Sequence, residues 1–294
     1  MSGPHLRFFV IGAQKCATSW LYYCLRDHPD LVLPTNKVEH AYLGSPTYRE
    51  RGSSWYLGRF PEAAPGAVAG EVAVDYMLDA DAPAAIAAHV ARPRLVALLR
   101  DPVDRLVSAY FWALRKNQLP NEPLSSVLPW FLSQPPGFPE RHPDRFVDEL
   151  VRRAFYGRQL RPYVEAFGPE SLLVVLYDEV RRDPAGVVRR VYRHVGVDPD
   201  HVPDSLGRRP KVNTRNRAVI ALERLTTGRK LARVTDRMHR ALARVTEPPP
   251  ELTAAERAGL LDRFRPHLEE AEAVLAGLPE ANRPTTVRLT DLWT

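Results

Sequence analysis

The chain has 294 residues, 45% hydrophobic and 26% charged, a globular composition with room for one large α/β core or two small domains. Its net charge of +6 is uneven: residues 208 to 244 hold twelve Lys/Arg against Glu223 and Asp236, a local +10, which leaves the remainder at about −4. Two cysteines exclude a disulfide framework, no apolar run reaches transmembrane length, and MSGPHLRFFV lacks the features of a signal peptide, so a reducing cytoplasmic setting without membrane attachment is expected.

In chain order, residues 6 to 12 (LRFFVIG) predict a buried strand and residues 17 to 28 a helix that opens on Thr18 and Ser19. A second strand is predicted over 68 to 74, a helix over 81 to 91, and a third strand over 93 to 101. A helix follows over 101 to 116, with proline in its first turn. Residues 117 to 145 are rich in proline and lack periodicity, so a loop or lid is expected there. Residues 147 to 168 read as one helix, SLLVVLYDEV (171 to 180) as a fourth strand, and 183 to 197 as a helix closed by Gly196. Alternation of strands and helices predicts an α/β fold: a P-loop-like parallel sheet with helices on both faces, within one domain over 1 to 294. The core is expected over 6 to 200, with an extra basic and helical C-terminal segment over 205 to 294.

Ligands of such sheets bind beyond the carboxyl ends of the strands. Lys15 follows the first strand and Arg100 ends the third. Backbone N–H groups at a strand-to-helix turn form an anion site, and Thr18 and Ser19 can add hydroxyl bonds. In G-x-x-x-x-G-K-[ST] the lysine directly precedes the hydroxyl that holds Mg²⁺. Here Lys15 falls three residues after Gly12 and three before Thr18, and no acidic metal motif stands out, so metal-free phosphate binding is expected. Arg100 can fork onto a second phosphate, with Ser108 two helical turns further on. Asp104 lies one turn from Arg100 and is its alternative partner, while Arg105 points to another face. Cys16 could be activated by the helix start or be a small filler.

GAQKCATSWLYYCL followed by LVALLRDPVDRLVSAYFW resembles the PAPS-dependent sulfotransferases, above all their soluble bacterial members and the domains acting on glycosaminoglycans. The resemblance covers about residues 6 to 200, and LEEAEAVLAG with LTDLWT loosely resembles the family's closing helix and aromatic end. It implies that the first loop (Gln14, Lys15, Cys16, Ala17, Thr18, Ser19) binds the 5′-phosphosulfate of 3′-phosphoadenylyl sulfate (PAPS). It implies that Arg100 and Ser108 hold the 3′-phosphate, which remains on the product 3′-phosphoadenosine 5′-phosphate (PAP). Trp20 matches an aromatic that stacks on adenine, or is a core residue of the first helix. Lys211 and Arg215, in RRPKVNTRNR, match a basic loop over the 3′-phosphate.

Sulfuryl transfer needs in-line geometry, neutralisation of the leaving oxygen and a base for the acceptor. The family's base is a glutamate in a K-E-x-x-F-F-like loop, and PTNKVEHAYL puts Val38 there. Glu39 and His40 are therefore the candidate bases, with Glu71 and Asp75 of GEVAVDYM, beside the acceptor pocket, as further candidates. Glu71 reads alternatively as a strand-edge carboxylate. Over 227 to 246, Arg229, Arg233, Arg237, Arg240 and Arg244 share one face of an amphipathic helix, either an electrostatic attractor or a solvated surface. The reading is sulfuryl transfer from PAPS to a hydroxyl or amine of a small-molecule or glycoside acceptor in specialised metabolism, without nucleic acid. A P-loop kinase and a non-catalytic nucleotide- or nucleic-acid-binding protein are the alternatives.

Overall fold

The computed structural model describes residues 6–35, 42–62, 64–115, 118, 124, 128–133, 145–208 and 252–294. Its elements are β1 (Leu6–Gly12), α1 (Thr18–Arg26), β2 (Leu31–Val32), α2 (Pro46–Leu57), β3 (Val68–Val72), α3 (Ala82–Ala87), β4 (Arg94–Leu99) and α4 (Pro102–Arg115). Then come α5 (Leu128–Ser133), α6 (Arg145–Arg152), α7 (Tyr156–Phe167), β5 (Leu172–Leu176), α8 (Tyr177–Arg182), α9 (Pro184–Val195), α10 (Ala254–Ala276) and α11 (Leu289–Leu292). The five strands form one parallel sheet in the order β2-β3-β1-β4-β5. The sheet and its flanking helices are the expected α/β architecture. The two-residue strand β2 was not expected, because LV is too short to show a period.

Every residue of β3 and β5 is buried, as is all of β4 beyond Arg94, so helices cover both faces of the sheet. β1 is central, and its carboxyl end stands beside that of β4, with Gly12 opposite Ala97. Ala13 N donates to Leu98 O (2.8 Å), which ties the first residue of the loop to the neighbouring strand. Gly12 is required by close approach: a Cβ there would lie 2.5 Å from Met77 Sδ. A second apolar cluster joins α4, α5, α6 and α10 through Val103, Leu114, Phe131, Val151 and Phe264.

Three sequence expectations change. The helix over 147 to 168 is two, α6 and α7, broken at Arg153–Phe155, and the break puts Arg153 onto Asp75 (2.6 Å) and Glu149 (2.9 Å). The fourth strand stops at Leu176 because Glu179 Oε2 accepts its N–H (2.9 Å) and starts α8. Within 117 to 145, taken for a loop, residues 128 to 133 form α5, with Leu128 and Phe131 buried. The C-terminal helix does form: α10 starts at a capping box between Thr253 and Glu256, and the tail returns to the core, where Trp293 Nε1 donates to Asp178 (3.1 Å). Among the described residues no helix is long and apolar enough to cross a membrane.

Candidate active site

The loop after β1 has an uncommon backbone. Lys15 (φ 69°) and Ala17 (φ 71°) both adopt positive φ, which costs a residue with a Cβ about 1 kcal/mol or more. Such conformations turn successive N–H groups towards one concavity, a nest for an anion. Ala17 is the N-cap of α1 and makes no side-chain cap, so the helix opens on backbone donors alone. Lys15 and Gln14 are half-buried, Ser19 is exposed, and Thr18 is buried at the first position of α1. Cys16 turns inward and is fully buried; burial pushes its thiol up to about 11, against the opposing charges of Arg105, Arg100 and Lys15. The filler reading of Cys16 therefore holds, and activation by the helix start does not. Trp20 is buried and donates Nε1 to Leu206 O (3.1 Å), so its ring belongs to the core beside α1, the alternative its sequence position left open.

The second constellation leaves β4. Asp101 Oδ1 accepts from Val103 N (2.8 Å) and Asp104 N (2.9 Å), capping α4 ahead of Pro102. Burial raises the Asp101 carboxyl, opposed by the backbone donors of α4 and by Arg257, which binds its other oxygen. Arg257 also holds Asp104 Oδ1 (3.1 Å), while Arg100 reaches Asp104 Oδ2 at 3.4 Å. The Arg100–Asp104 pair thus exists, but it is long and shared. Arg100 Nε is buried without a hydrogen-bond partner, its guanidinium lies over the Tyr177 ring at 4.6 Å, and its carbonyl accepts from Tyr156 OH (2.7 Å). Ser108 is half-buried on α4. Lys15 follows the carboxyl end of β1, and Arg100 follows that of β4, its parallel neighbour. The two sequence motifs therefore meet at one end of the sheet.

The acceptor-side candidates separate. Glu71 lies two residues beyond the β2–β3 pairing, which ends at Ala69, yet it is 2% exposed: side chains, not a neighbouring strand, cover that side of β3. It accepts from Tyr56 OH (2.8 Å), Tyr76 OH (2.8 Å) and Arg59 Nη1 (3.2 Å), and burial raises its carboxyl in spite of these donors. The same groups hold nearby chain: Leu43 N donates to Tyr76 OH (3.0 Å), and Thr35 N to Arg59 O (3.0 Å). A carboxylate so enclosed suits holding structure better than moving a proton. Asp75 is ion-paired with Arg153. Glu39, His40, Lys211, Arg215 and the basic stretch 227 to 246 lie outside the described residues.

Sequence reasoning missed Tyr156, Arg153 and Arg257. Each comes from a distant element, and Arg257 lies 153 residues beyond Asp104. No local spacing marks them.

Known proteins resemble this chain in sequence and in fold. A mouse (Mus musculus) heparan sulfate glucosamine 3-O-sulfotransferase 3B1 is 29% identical over 191 residues, 64% of this chain and 45% of the relative. The human (Homo sapiens) heparan sulfate glucosamine 3-O-sulfotransferase 6 is 30% identical over 203 residues, 67% of this chain and 55% of the relative. The chain thus spans about half the length of these curated relatives. The crystal structure of a sulfotransferase from Alicyclobacillus acidocaldarius superposes with a TM-score of 0.67 at 22% identity, over 96% of this chain and 99% of that one, and shares the fold. The family model of the sulfotransferase domain matches residues 6–244, both motifs included, and the chain belongs to that family.

Proposed function

We propose that the protein transfers a sulfuryl group from PAPS to a hydroxyl or amine of a small-molecule or glycoside acceptor. The observation that carries this reading is the juxtaposition of Lys15, in a loop of positive-φ backbone, with Arg100, whose Nε is buried and unpartnered, at the ends of adjacent strands. The donor set fits a nucleotide with two anionic ends: backbone N–H groups, Lys15, Thr18 and Ser19 for one, Arg100 and Ser108 for the other. PAPS supplies the sulfuryl group as an activated mixed anhydride. Lys15, a compact cation, neutralises charge on the departing phosphate oxygen. Arg257 occupies the other oxygen of Asp104, which limits that carboxylate's hold on Arg100 and leaves the guanidinium for phosphate.

Glu39 and His40 are the proposed acceptor bases, since either side chain can take the hydroxyl proton, and Lys211 and Arg215 are proposed to close on the 3′-phosphate. The relatives' names point to aminosugar polymers, so glycosides with free hydroxyl and amine groups head the acceptor screen. We place the enzyme in the cytoplasm, in specialised metabolism, as one domain over residues 1 to 294.

Calorimetric titration of PAP into wild type, Lys15→Ala and Arg100→Ala, with ATP and Mg²⁺ as the control, tests the reading. Metal-independent PAP binding, weakened at least tenfold in Arg100→Ala, is expected. Preference for ATP with Mg²⁺ would replace it with the kinase.

A further inference from the structure

The two oxygens of Glu71 are divided between two sets of donors. Oε2 accepts from Tyr56 OH and Tyr76 OH (both 2.8 Å), and Oε1 accepts from Arg59 Nη1 (3.2 Å). Two of these three donors go on to hold main chain. A carboxylate has no proton to give, so the Tyr76 hydroxyl must donate to it, and its lone pair is left to accept from Leu43 N (3.0 Å). Arg59 O accepts from Thr35 N (3.0 Å) and from Thr35 Oγ1 (3.3 Å). Thr35 and Leu43 flank the stretch that contains Glu39 and His40. One carboxylate is therefore linked, through one residue each, to both sides of the stretch that carries the candidate bases. On the Leu43 side a second contact adds to the hold: Tyr42 OH donates to Asp79 Oδ2 (2.9 Å), and its ring meets that of Tyr76 edge-on at 4.8 Å. Tyr56 differs from the other two donors. Its hydroxyl reaches Glu71 and its ring packs on Tyr48 and Phe60, away from both flanks. Glu71, Tyr76 and Leu43 are all buried, where hydrogen bonds to a carboxylate are strong and directional.

We propose that Glu71 is a positioning residue for sulfuryl transfer: by fixing the Tyr76 hydroxyl and Arg59 it sets both flanks of the base-bearing stretch, and it does not take the acceptor proton itself. This deepens the sulfuryl-transfer reading and rests on it for the assignment of Glu39 and His40 as bases. The base must stand within hydrogen-bond reach of the acceptor proton, and a misplacement of about 1 Å costs roughly a hundredfold in rate. An amide cannot replace the carboxylate. Its single carbonyl oxygen satisfies either the two hydroxyls or the guanidinium, so at least one flank loosens.

The test compares the full chain with Glu71→Gln, Tyr76→Phe and Tyr56→Phe. Amide hydrogen exchange at Thr35 and Leu43 reads the two flanks directly. Glu71→Gln should speed exchange at one flank or both by about tenfold, and Tyr76→Phe should do so at Leu43. Tyr56→Phe, which takes a hydroxyl from the same carboxylate, should speed neither beyond its loss of global stability. PAPS turnover, followed as PAP release with p-nitrophenyl β-D-glucosaminide as the acceptor probe, reads the consequence. Glu71→Gln should lower kcat by about ten- to a hundredfold with the KM for PAPS within about twofold, and the acid limb of its kcat profile should stay at the wild-type pH. Wild-type exchange at both flanks in Glu71→Gln overturns the proposal. So does equal acceleration by Tyr56→Phe and Tyr76→Phe, the pattern of a carboxylate that only supports the core. A Glu71→Gln profile without its acid limb would make Glu71 the base and overturns it too. If Glu71→Gln does not fold, the contrast between Tyr76→Phe and Tyr56→Phe decides. If wild type does not turn over the probe, the exchange contrast decides alone. Wild type that binds no PAP removes the sulfuryl-transfer reading and this role with it, whereas PAP binding with unmoved flanks removes this role alone.

Discussion

Gly157 couples the packing of the helices to the candidate site, and its replacement by alanine should damage both. It is the second residue of α7, and a Cβ there would lie 2.5 Å from the carbonyl carbon of Glu270 and 2.6 Å from Ala271 N. These are backbone atoms of α10 and cannot rotate away, so the two helices must part by roughly 1 Å to reach ordinary contact. Overpacking of this kind costs about 1–3 kcal/mol, and alanine in place of glycine in a helix returns up to about 1 kcal/mol. A net loss of about 1–2 kcal/mol is expected, read as a lower midpoint in urea denaturation at unchanged slope. The neighbouring Tyr156 holds the Arg100 carbonyl (2.7 Å), and Arg257, in the first turns of α10, holds Asp101 and Asp104. PAP affinity should therefore fall by about three- to tenfold, since the groups around Arg100 move with the helices. Gly207→Ala, where a Cβ meets nothing within 4 Å, is the control. Gly157→Ala as stable as wild type, with the control also neutral, would refute the argument that backbone contact sets the distance between α7 and α10.

Two further outcomes follow from buried titratable groups. His194 contacts Leu95 O and Ser171 O (both 3.1 Å), and burial, helped by Arg94, holds its imidazole down to about 4 from the usual 6.5. The unfolded chain takes up that proton first, so the contribution is complete above pH 6.5 and is lost as pH falls towards 4. It is worth about 3 kcal/mol, and denaturation curves at pH 7 and pH 4.5 should differ less in His194→Gln than in wild type; an equal difference would assign the pH dependence to other groups. Burial holds Cys16 at about 11 and Cys24 at about 12, so neither should react with Ellman's reagent at pH 7.5 until denaturant is added. Rapid labelling of Cys16 in the native protein would show that the loop opens to solvent.

What the sequence by itself determined was periodic or local. The apolar run LRFFVIG, Gly12 and the start of α1, and the cap and proline of DP before α4, are set by neighbours within a few residues, and they place Lys15 and Arg100 at strand ends. Parallel strands follow from their alternation with helices. Tertiary structure decided the rest, because burial and charge balance depend on what lies across the sheet. Glu71 reads locally as an edge carboxylate, and β2 does end before it, but Tyr56, Tyr76 and Arg59 from other elements close over it. YDEV reads as the continuation of a strand, yet the carboxylate of Glu179 takes the Leu176 N–H and turns the chain into a helix. Arg105 reads as one more helix arginine, and only tertiary packing, which sets its Nη2 on Leu150 O of α6, leaves it buried with idle donors. A spacing rule records which residues share a face, whereas the cost of a buried charge is set by every group around it, and those groups come from across the chain.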